Sequence, residues 1–155
     1  MYFITKIKKI DKEKNVSIFV DMDGVIADYE FGDPLNFVNK RPLKRNIKVF
    51  EHLALLPNVT LNILSICHTT AQIKEKELWL SKNAPVFDIL NQNIFAKEDY
   101  PGLKSKQIKL KFLKSIMNKT DDCLIVIDDD NEILEYLKKG LGDNVILFQD
   151  SSLVD

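Results

Sequence analysis

Cysteine is scarce. Cys67 and Cys123 are the only two in 155 residues, too few for the disulfide framework of a small secreted domain. No apolar stretch approaches the roughly 20 residues of a membrane span. The opening MYFITKIKKIDKEKN has no apolar core of roughly 7 to 15 residues ahead of a small-residue cleavage site. A reduced, cytoplasmic protein with no membrane segment is the expectation. An excess of charge is missing as well: 22 Lys and Arg face 23 Asp and Glu, a formal net charge of −1. No global field draws the chain to nucleic acid or anionic lipid, so a partner must be caught by a local site. The two histidines, His52 and His68, stand at no zinc-like spacing from other ligands. No repeat, low-complexity tract or linker interrupts the chain, which predicts a single domain over 1–155. At 17.9 kDa with 45% hydrophobic residues, it can bury a core without a staple.

Short apolar runs rich in β-branched residues recur at Val16 to Val20, Val59 to Leu64, Asn93 to Phe95, Leu124 to Ile127 and Val145 to Phe148, and these read as buried strands. The charge-dense stretch from Lys6 to Lys14 reads as a solvated lead-in. Helical spacing places Ile47, Phe50, Leu53 and Ala54 on one face of a helix. A second helix carries Ile73 and Leu80 and stops before Pro85, a third runs from Leu103 to Met117, and a fourth from Glu132 to Lys139, with Asn131 as N-cap and Gly140 as stop. Strand and helix in alternation imply parallel pairing through right-handed crossovers. The expected architecture is therefore a three-layer α/β/α sandwich around a mainly parallel sheet of about five strands. Ligands of such sheets bind at the carboxyl ends of the strands.

Those ends are acidic. SIFVDMDGVIAD sets Asp21 and Asp23 two residues apart after an apolar run, a spacing that would send both carboxylates to one side with Met22 facing the other. Gly24 lets the backbone turn sharply there. A lone acidic pair after a strand is most simply a set of helix caps, but LIVIDDDNE repeats the arrangement at Asp128, Asp129 and Asp130. Two such strands side by side crowd three or more carboxylates together. A pair of like charges 4 Å apart repel by about 4 kcal/mol at an effective dielectric of about 20, so the cluster calls for a cation. An all-oxygen donor set favours Mg²⁺, held by a few carboxylates together with substrate phosphate.

The DMDGV at 21–25, the IDD at 127–129 and Ser65 at the end of the second core strand together resemble the haloacid dehalogenase superfamily of phosphohydrolases. Within it, DMDGVIAD and the EKELW at 75–79 look most like the 5'(3')-deoxyribonucleotidase group. The resemblance implies a Rossmann-like sheet and a Mg²⁺-dependent phosphomonoesterase acting on a nucleotide or related small phosphate ester. Asp21 would be the nucleophile that forms an aspartyl-phosphate. Asp23 would protonate the leaving oxygen and then deprotonate water. Asp21, the Asp23 backbone carbonyl and Asp128 would hold Mg²⁺, with Asp129 completing or supporting the shell and Asp130 less directly involved. The Ser65 hydroxyl and the Ile66 amide would bind phosphoryl oxygens, although a strand-end serine alone reads as a turn cap. Thr69 replaces Ser65 if the strand ends later.

A cation must also face the phosphoryl group. With Ser105 as N-cap of the third helix, Lys106 falls in register with Leu103, Leu110, Leu113 and Met117 on the core face, which puts it ahead of other lysines. The nucleotidase pattern, a Lys-Thr pair before the fourth strand, makes Lys119 the rival. Only 34 residues separate Gly24 from Val59, and the first crossover helix uses part of them. The large helical cap of the nucleotidase group cannot fit, leaving a short flap at about 26–45. An uncapped site suits a phosphorylated macromolecule or a lid borrowed in a homodimer. Tyr29, Phe31 and Phe37 in the flap could stack on a base, though aromatics there more often pack down on the domain. Trp79 reads as core and Cys67 as a small buried apolar residue; His68 follows the serine strand. Two further classes compete: a receiver-like signalling domain that accepts phosphate on aspartate, and a non-catalytic Mg²⁺-binding module. In a receiver the acceptor would end the third strand, which here ends in Ala96 and Lys97. Asp23 would then have no role.

Overall fold

The computed structural model describes residues 2–10, 12–29 and 36–154. Five parallel strands form one sheet in the order β3-β2-β1-β4-β5: β1 is Val16–Val20, β2 Val59–Cys67, β3 Gln92–Ala96, β4 Cys123–Asp128 and β5 Val145–Gln149. All five apolar runs are strands, as their composition implies. β2 runs three residues past Leu64, so Ser65 lies within it.

A first helix, α1 (Tyr2–Lys8), takes up the start of the expected lead-in, while Lys9 and residues 12–14 beyond it are exposed as expected. Phe3, Ile4 and Ile7 supply it with an apolar side despite the surrounding lysines, and Phe3 meets the Phe148 ring edge-on at 4.8 Å. Four crossover helices follow: α2 (Lys44–Leu53), α3 (Thr70–Asn83), α4 (Ser105–Met117) and α5 (Asn131–Leu141). The caps differ from expectation by a residue or two. Lys104, not Ser105, is the N-cap of α4. Asp130, not Asn131, caps α5, its Oδ1 accepting from the Glu132 and Ile133 amides at 2.9 and 3.4 Å. Helix α5 continues through Gly140 and ends at Gly142, whose φ of +61° suits a residue without Cβ.

The alternation of strand side chains divides the core. Ile18, Val20, Ile63, Ile125 and Ile127 face a layer that includes Phe3, Phe50, Leu53, Trp79 and Leu80, from α1, α2 and α3. Phe19, Leu64, Leu124 and Val126 face Leu113, Leu137 and Leu141, from α4 and α5. Successive connections run outward from β1 to β2 and β3 on one side and from β4 to β5 on the other. The order therefore reverses between β1 and β4, where a crevice opens at the carboxyl edge of an α/β sheet. Val20 pairs with Ile127 there, so Asp21 and Asp128 sit side by side, each one residue beyond the pair. The Asp21 amide donates to Ile127 O at 3.0 Å.

Between β1 and α2 the described residues form a tight turn and isolated bridges rather than a cap. Met22 O accepts from the amides of Val25, Ile26 and Ala27, and bridges join Asp23 to Ala27 and Ala27 to Pro42. The flap aromatic Phe31 lies outside the described residues. Among those described, no helix is long and apolar enough to cross a membrane.

Candidate active site

The two layers send different lysines to the two aspartates of DMDGV. Asp21 shares its side of the sheet with Phe19, towards α4. Lys109 on that helix donates to Asp21 Oδ1 at 3.1 Å and to Asp128 Oδ2 at 2.6 Å, with only 3% of its side chain exposed. Asp23 has left the sheet through the turn at Met22 and faces the opposite layer. There its carboxylate accepts from Lys76 of α3 at 3.0 Å and from Lys40 of the flap. The two carboxylates thus diverge, contrary to the period-two expectation, because strand geometry ends at Val20.

Oxygen atoms of Asp21, Asp128 and Asp129 all lie within 4.8 Å of one another. Gly24 makes the third approach possible. Its φ is +77°, and a Cβ there would stand 2.1 Å from Asp129 Oδ2. Any larger residue would strain the turn and displace that carboxylate.

In this ring of protein groups, burial pushes Asp21 up to about 8; Lys109 opposes the shift, while Asp128 and Asp23 reinforce it. Burial, followed by repulsion from Asp128, pushes Asp129 up to about 6. Burial is the larger cause of both shifts, and the repulsion from Asp128 that adds to each is the part a divalent cation would relieve. The same burial raises the pKa of Asp23, but Lys76 and Lys40 outweigh it and hold the carboxyl below its ordinary value. Lys109 is held above its ordinary value because Asp21 and Asp128 together overcome its desolvation.

Ser65 is wholly buried, on the α3 side, and its Oγ accepts from Lys76 Nζ at 2.7 Å. Lys76 also donates to Ile66 O at 3.1 Å. Phe37 packs beneath both cations, its centroid 4.6 Å from Lys40 Nζ and 4.8 Å from Lys76 Nζ, and contacts the buried Trp79 ring. Trp79 Nε1 donates to Lys40 O at 2.8 Å, which ties the flap to α3. A cleft of about 250 Å³ opens over Asp23, lined by Tyr29, Phe37, Ile66, Cys67, His68 and Lys76, among others. Tyr29 is exposed along it while Phe37 is packed down.

The structure therefore brings Asp21, Asp23, Ser65, Ile66, Asp128 and Asp129 to one edge. The strand does end later, at Cys67, and Thr69 follows it at the same edge as the exposed N-cap of α3, its amide donating to Gln72 Oε1 at 3.2 Å, whereas Ser65 is the hydroxyl that Lys76 holds. Lys106 does not join them. It pairs with Glu132 at 2.8 Å on the outer side of α4. Lys119 lies before β4, at the opposite edge of the sheet. Lys109 takes the place expected for Lys106. The inward stripe of α4 runs through Ile108, Phe112, Leu113 and Ile116, and Lys109 stands four residues before Leu113 on that stripe. Three residues turn a helix by about 300°, so Lys106 stands about 60° round from Lys109, just past Leu113 on the flank of α4 where Glu132 of α5 takes its ammonium. Lys76 is a second inward lysine absent from the sequence expectation, although it stands three and four residues before Trp79 and Leu80 on the buried side of α3.

Solved structures share this fold. A chain of a Pnkp1/Rnl/Hen1 RNA repair complex superposes with a TM-score of 0.69 at 22% identity, over 90% of the present chain and 43% of its own. A haloacid dehalogenase-like protein from Burkholderia xenovorans LB400 superposes at 0.59 and 13% identity, over 86% and 81%. The HAD domain of effector protein Lem4 from Legionella pneumophila does so at 0.57 and 17%, over 90% and 86%. The present chain spans less than half the length of the RNA-repair chain. No family model and no curated protein matches the sequence. The three-layer parallel α/β fold is thus the one found in haloacid dehalogenase-like proteins.

Proposed function

We propose that this chain is a haloacid dehalogenase-type, Mg²⁺-dependent phosphomonoesterase that acts through an aspartyl-phosphate on Asp21, with a nucleotide or related phosphate ester as substrate. The observation that carries the reading is the joint grip of Lys109 on Asp21 and Asp128 at neighbouring strand tips. This is a buried nucleophile, a fixed cation and a set of oxygen ligands in one crevice. Asp21, Asp128, Asp129 and the Asp23 carbonyl would hold Mg²⁺, whose all-oxygen preference matches them. When bound, it supplies positive charge against the phosphoryl oxygens.

An Asp21 carboxylate oxygen attacks phosphorus and the ester P–O bond breaks, leaving phosphate on Asp21 and the electron pair on the leaving oxygen. Lys76 and Lys40 hold Asp23 as an anion, so the positive charge facing the leaving oxygen is theirs, and its proton is passed from an ammonium group across the Asp23 carboxyl. In the second half Asp23 takes a proton from water, whose oxygen attacks phosphorus, and returns that proton to the lysine amine left by the first half. The Asp21–phosphorus bond then breaks, which frees phosphate and restores the carboxylate. Lys76 also orients the Ser65 hydroxyl at the phosphate side of the crevice. In a receiver, by contrast, the paired lysines on Asp23 would have no task.

The test is steady-state hydrolysis of p-nitrophenyl phosphate and a panel of nucleoside monophosphates, sugar phosphates and phosphopeptides with Mg²⁺. Turnover that stops in EDTA and returns with Mg²⁺ is expected. Turnover that survives complete chelation, or no turnover of any phosphomonoester, overturns the reading.

Proton linkage gives a separate check. Asp21 and Asp129 bind their protons more tightly in the fold than in the unfolded chain, so folding takes up protons between their unfolded values near 4 and their folded values of about 8 and 6. Metal-free stability therefore falls as pH rises through that window. The lowered Asp23 and raised Lys109 values lie outside it and leave the sign unchanged. Mg²⁺ binds the ionised carboxylates, so it should raise Tm more at about pH 8 than at about pH 5. Equal Mg²⁺ shifts at the two pH values would contradict these ligands.

A further inference from the structure

The chain is nearly neutral overall, yet residues 34–50 contain five basic residues and no acidic one: Lys40, Arg41, Lys44, Arg45 and Lys48. Lys40 is buried on Asp23. Arg41, Lys44, Arg45 and Lys48 are exposed, and their i, i+3, i+4, i+7 spacing continues one face of α2. Arg41 pairs with Asp28. No ion pair joins Lys44, Arg45 or Lys48 to an acidic group among the described residues. An open groove of about 680 Å³ runs along this surface, lined by Arg41, Lys44, Arg45, Asn46 and Asn83 among others.

Stability does not account for this arrangement. Lys44 and Arg45 open α2, whose first turn holds no acidic residue and whose N-cap is Leu43 with no side-chain cap. Cations at the positive end of a helix dipole are unfavourable, and an acidic first turn would serve the fold better. The position relative to the crevice points to a role. In a β-α-β crossover, α2 starts at the carboxyl edge of the sheet, where Asp21 lies. The bridges from Asp23 to Ala27 and from Ala27 to Pro42 put the Pro42 backbone about 10 Å from that of Asp23.

We propose that Arg41, Lys44, Arg45 and Lys48 form a track for the phosphodiester backbone of a single-stranded polynucleotide whose terminal phosphate enters the crevice at Asp21. The proposal rests on the phosphomonoesterase reading for its terminal step and deepens it to a substrate class. A repeated row of cations matches a polyanion with regularly repeated charge, whereas a phosphoprotein presents one phosphate. Tyr29 lies exposed along the cleft with the Lys40 ammonium 5.5 Å from its ring centroid, an aromatic and a cation together at the crevice end of the row.

The test uses the triple variant Lys44→Gln, Arg45→Gln, Lys48→Gln. These residues lie outside the reacting centre, so p-nitrophenyl phosphate turnover should stay within about twofold, and Tm should hold or rise as the helix terminus loses cations. Fluorescence anisotropy with an unphosphorylated single strand of about 12 nucleotides reads the track without catalysis. Wild type should bind with a steep inverse dependence on salt. The variant should bind at least about tenfold more weakly, with the log–log slope reduced by about 2, which corresponds to three lost phosphate contacts at about 0.7 each. Wild-type kcat/KM for terminally phosphorylated strands should exceed that for nucleoside monophosphates, and the variant should lose this advantage. Equal strand binding by the two proteins, no salt dependence, or a preference for phosphopeptides over strands overturns the track. Missing p-nitrophenyl phosphate turnover with intact, salt-dependent strand binding instead overturns the hydrolase reading and leaves the track standing.

Discussion

Asp21→Asn should remove phosphatase turnover, by about 10⁴-fold or more, and leave the fold intact. The amide is nearly isosteric with the carboxylate but offers no anionic oxygen to attack phosphorus. Stability should not suffer in proportion. Asp21 is a carboxyl whose ionised form is opposed by its own burial and by Asp128, so a neutral group there relieves repulsion while Lys109 keeps its 2.6 Å bond to Asp128. The measurement is p-nitrophenyl phosphate hydrolysis beside thermal unfolding. Acid-quenched single turnover should show phosphate attached to the wild-type chain and none on the variant. Activity above background in a well-folded variant would remove Asp21 from its role, and loss of both fold and activity would be resolved by Asp21→Glu. That variant keeps the charge but moves the attacking oxygen by a methylene, and it should also be inactive.

The strands were legible because each centres on a short apolar run rich in β-branched residues, broken only by single polar residues such as Ser17, Thr60 and Asn62, and burial on both faces is what a parallel central strand requires. The acidic tips were legible because chemistry-bearing residues end those runs. What sequence reading missed lies on helices and in the flap. Helix α1 was hidden by its lysines, although Phe3, Ile4 and Ile7 form an inward face. Lys109 and Lys76 were hidden because a lysine inside an apolar stripe is one of many in a chain with 22 basic residues, and its burial is decided by the carboxylate it meets in three dimensions. Drawing the inward stripe of α4 through Leu103, Leu110, Leu113 and Met117, when its buried residues are Ile108, Lys109 and Leu113, selected Lys106. Lys40 was the least legible of all. It follows a turn, and only the closure of the flap onto Trp79 brings it to Asp23.

Lys109→Met and Lys106→Met should therefore separate sharply, though three residues apart on one helix. The Lys109 ammonium is enclosed and satisfies two carboxylates at once. A methionine fills its volume but leaves Asp21 and Asp128 facing each other in a buried crevice. Removing one partner of a buried ionic cluster costs about 3–5 kcal/mol, roughly a 10 °C fall in Tm for a chain of this size. Protonation of Asp21 softens the loss in acid, so the fall should be larger at about pH 8 than at about pH 5. Added Mg²⁺ should recover part of the stability by restoring positive charge between the same oxygens, whereas turnover should stay down by at least about 10²-fold because the fixed cation is gone. Lys106 pairs with the exposed Glu132 and lies 5.1 Å from the Tyr136 ring centroid, surface contacts of small worth, so its variant should unfold close to the wild-type temperature and keep wild-type kcat/KM. Paired unfolding curves and p-nitrophenyl phosphate kinetics decide the matter. If Lys106→Met proved the more damaging, α4 would have to present a different face to the sheet, and the cation beside Asp21 would no longer be Lys109.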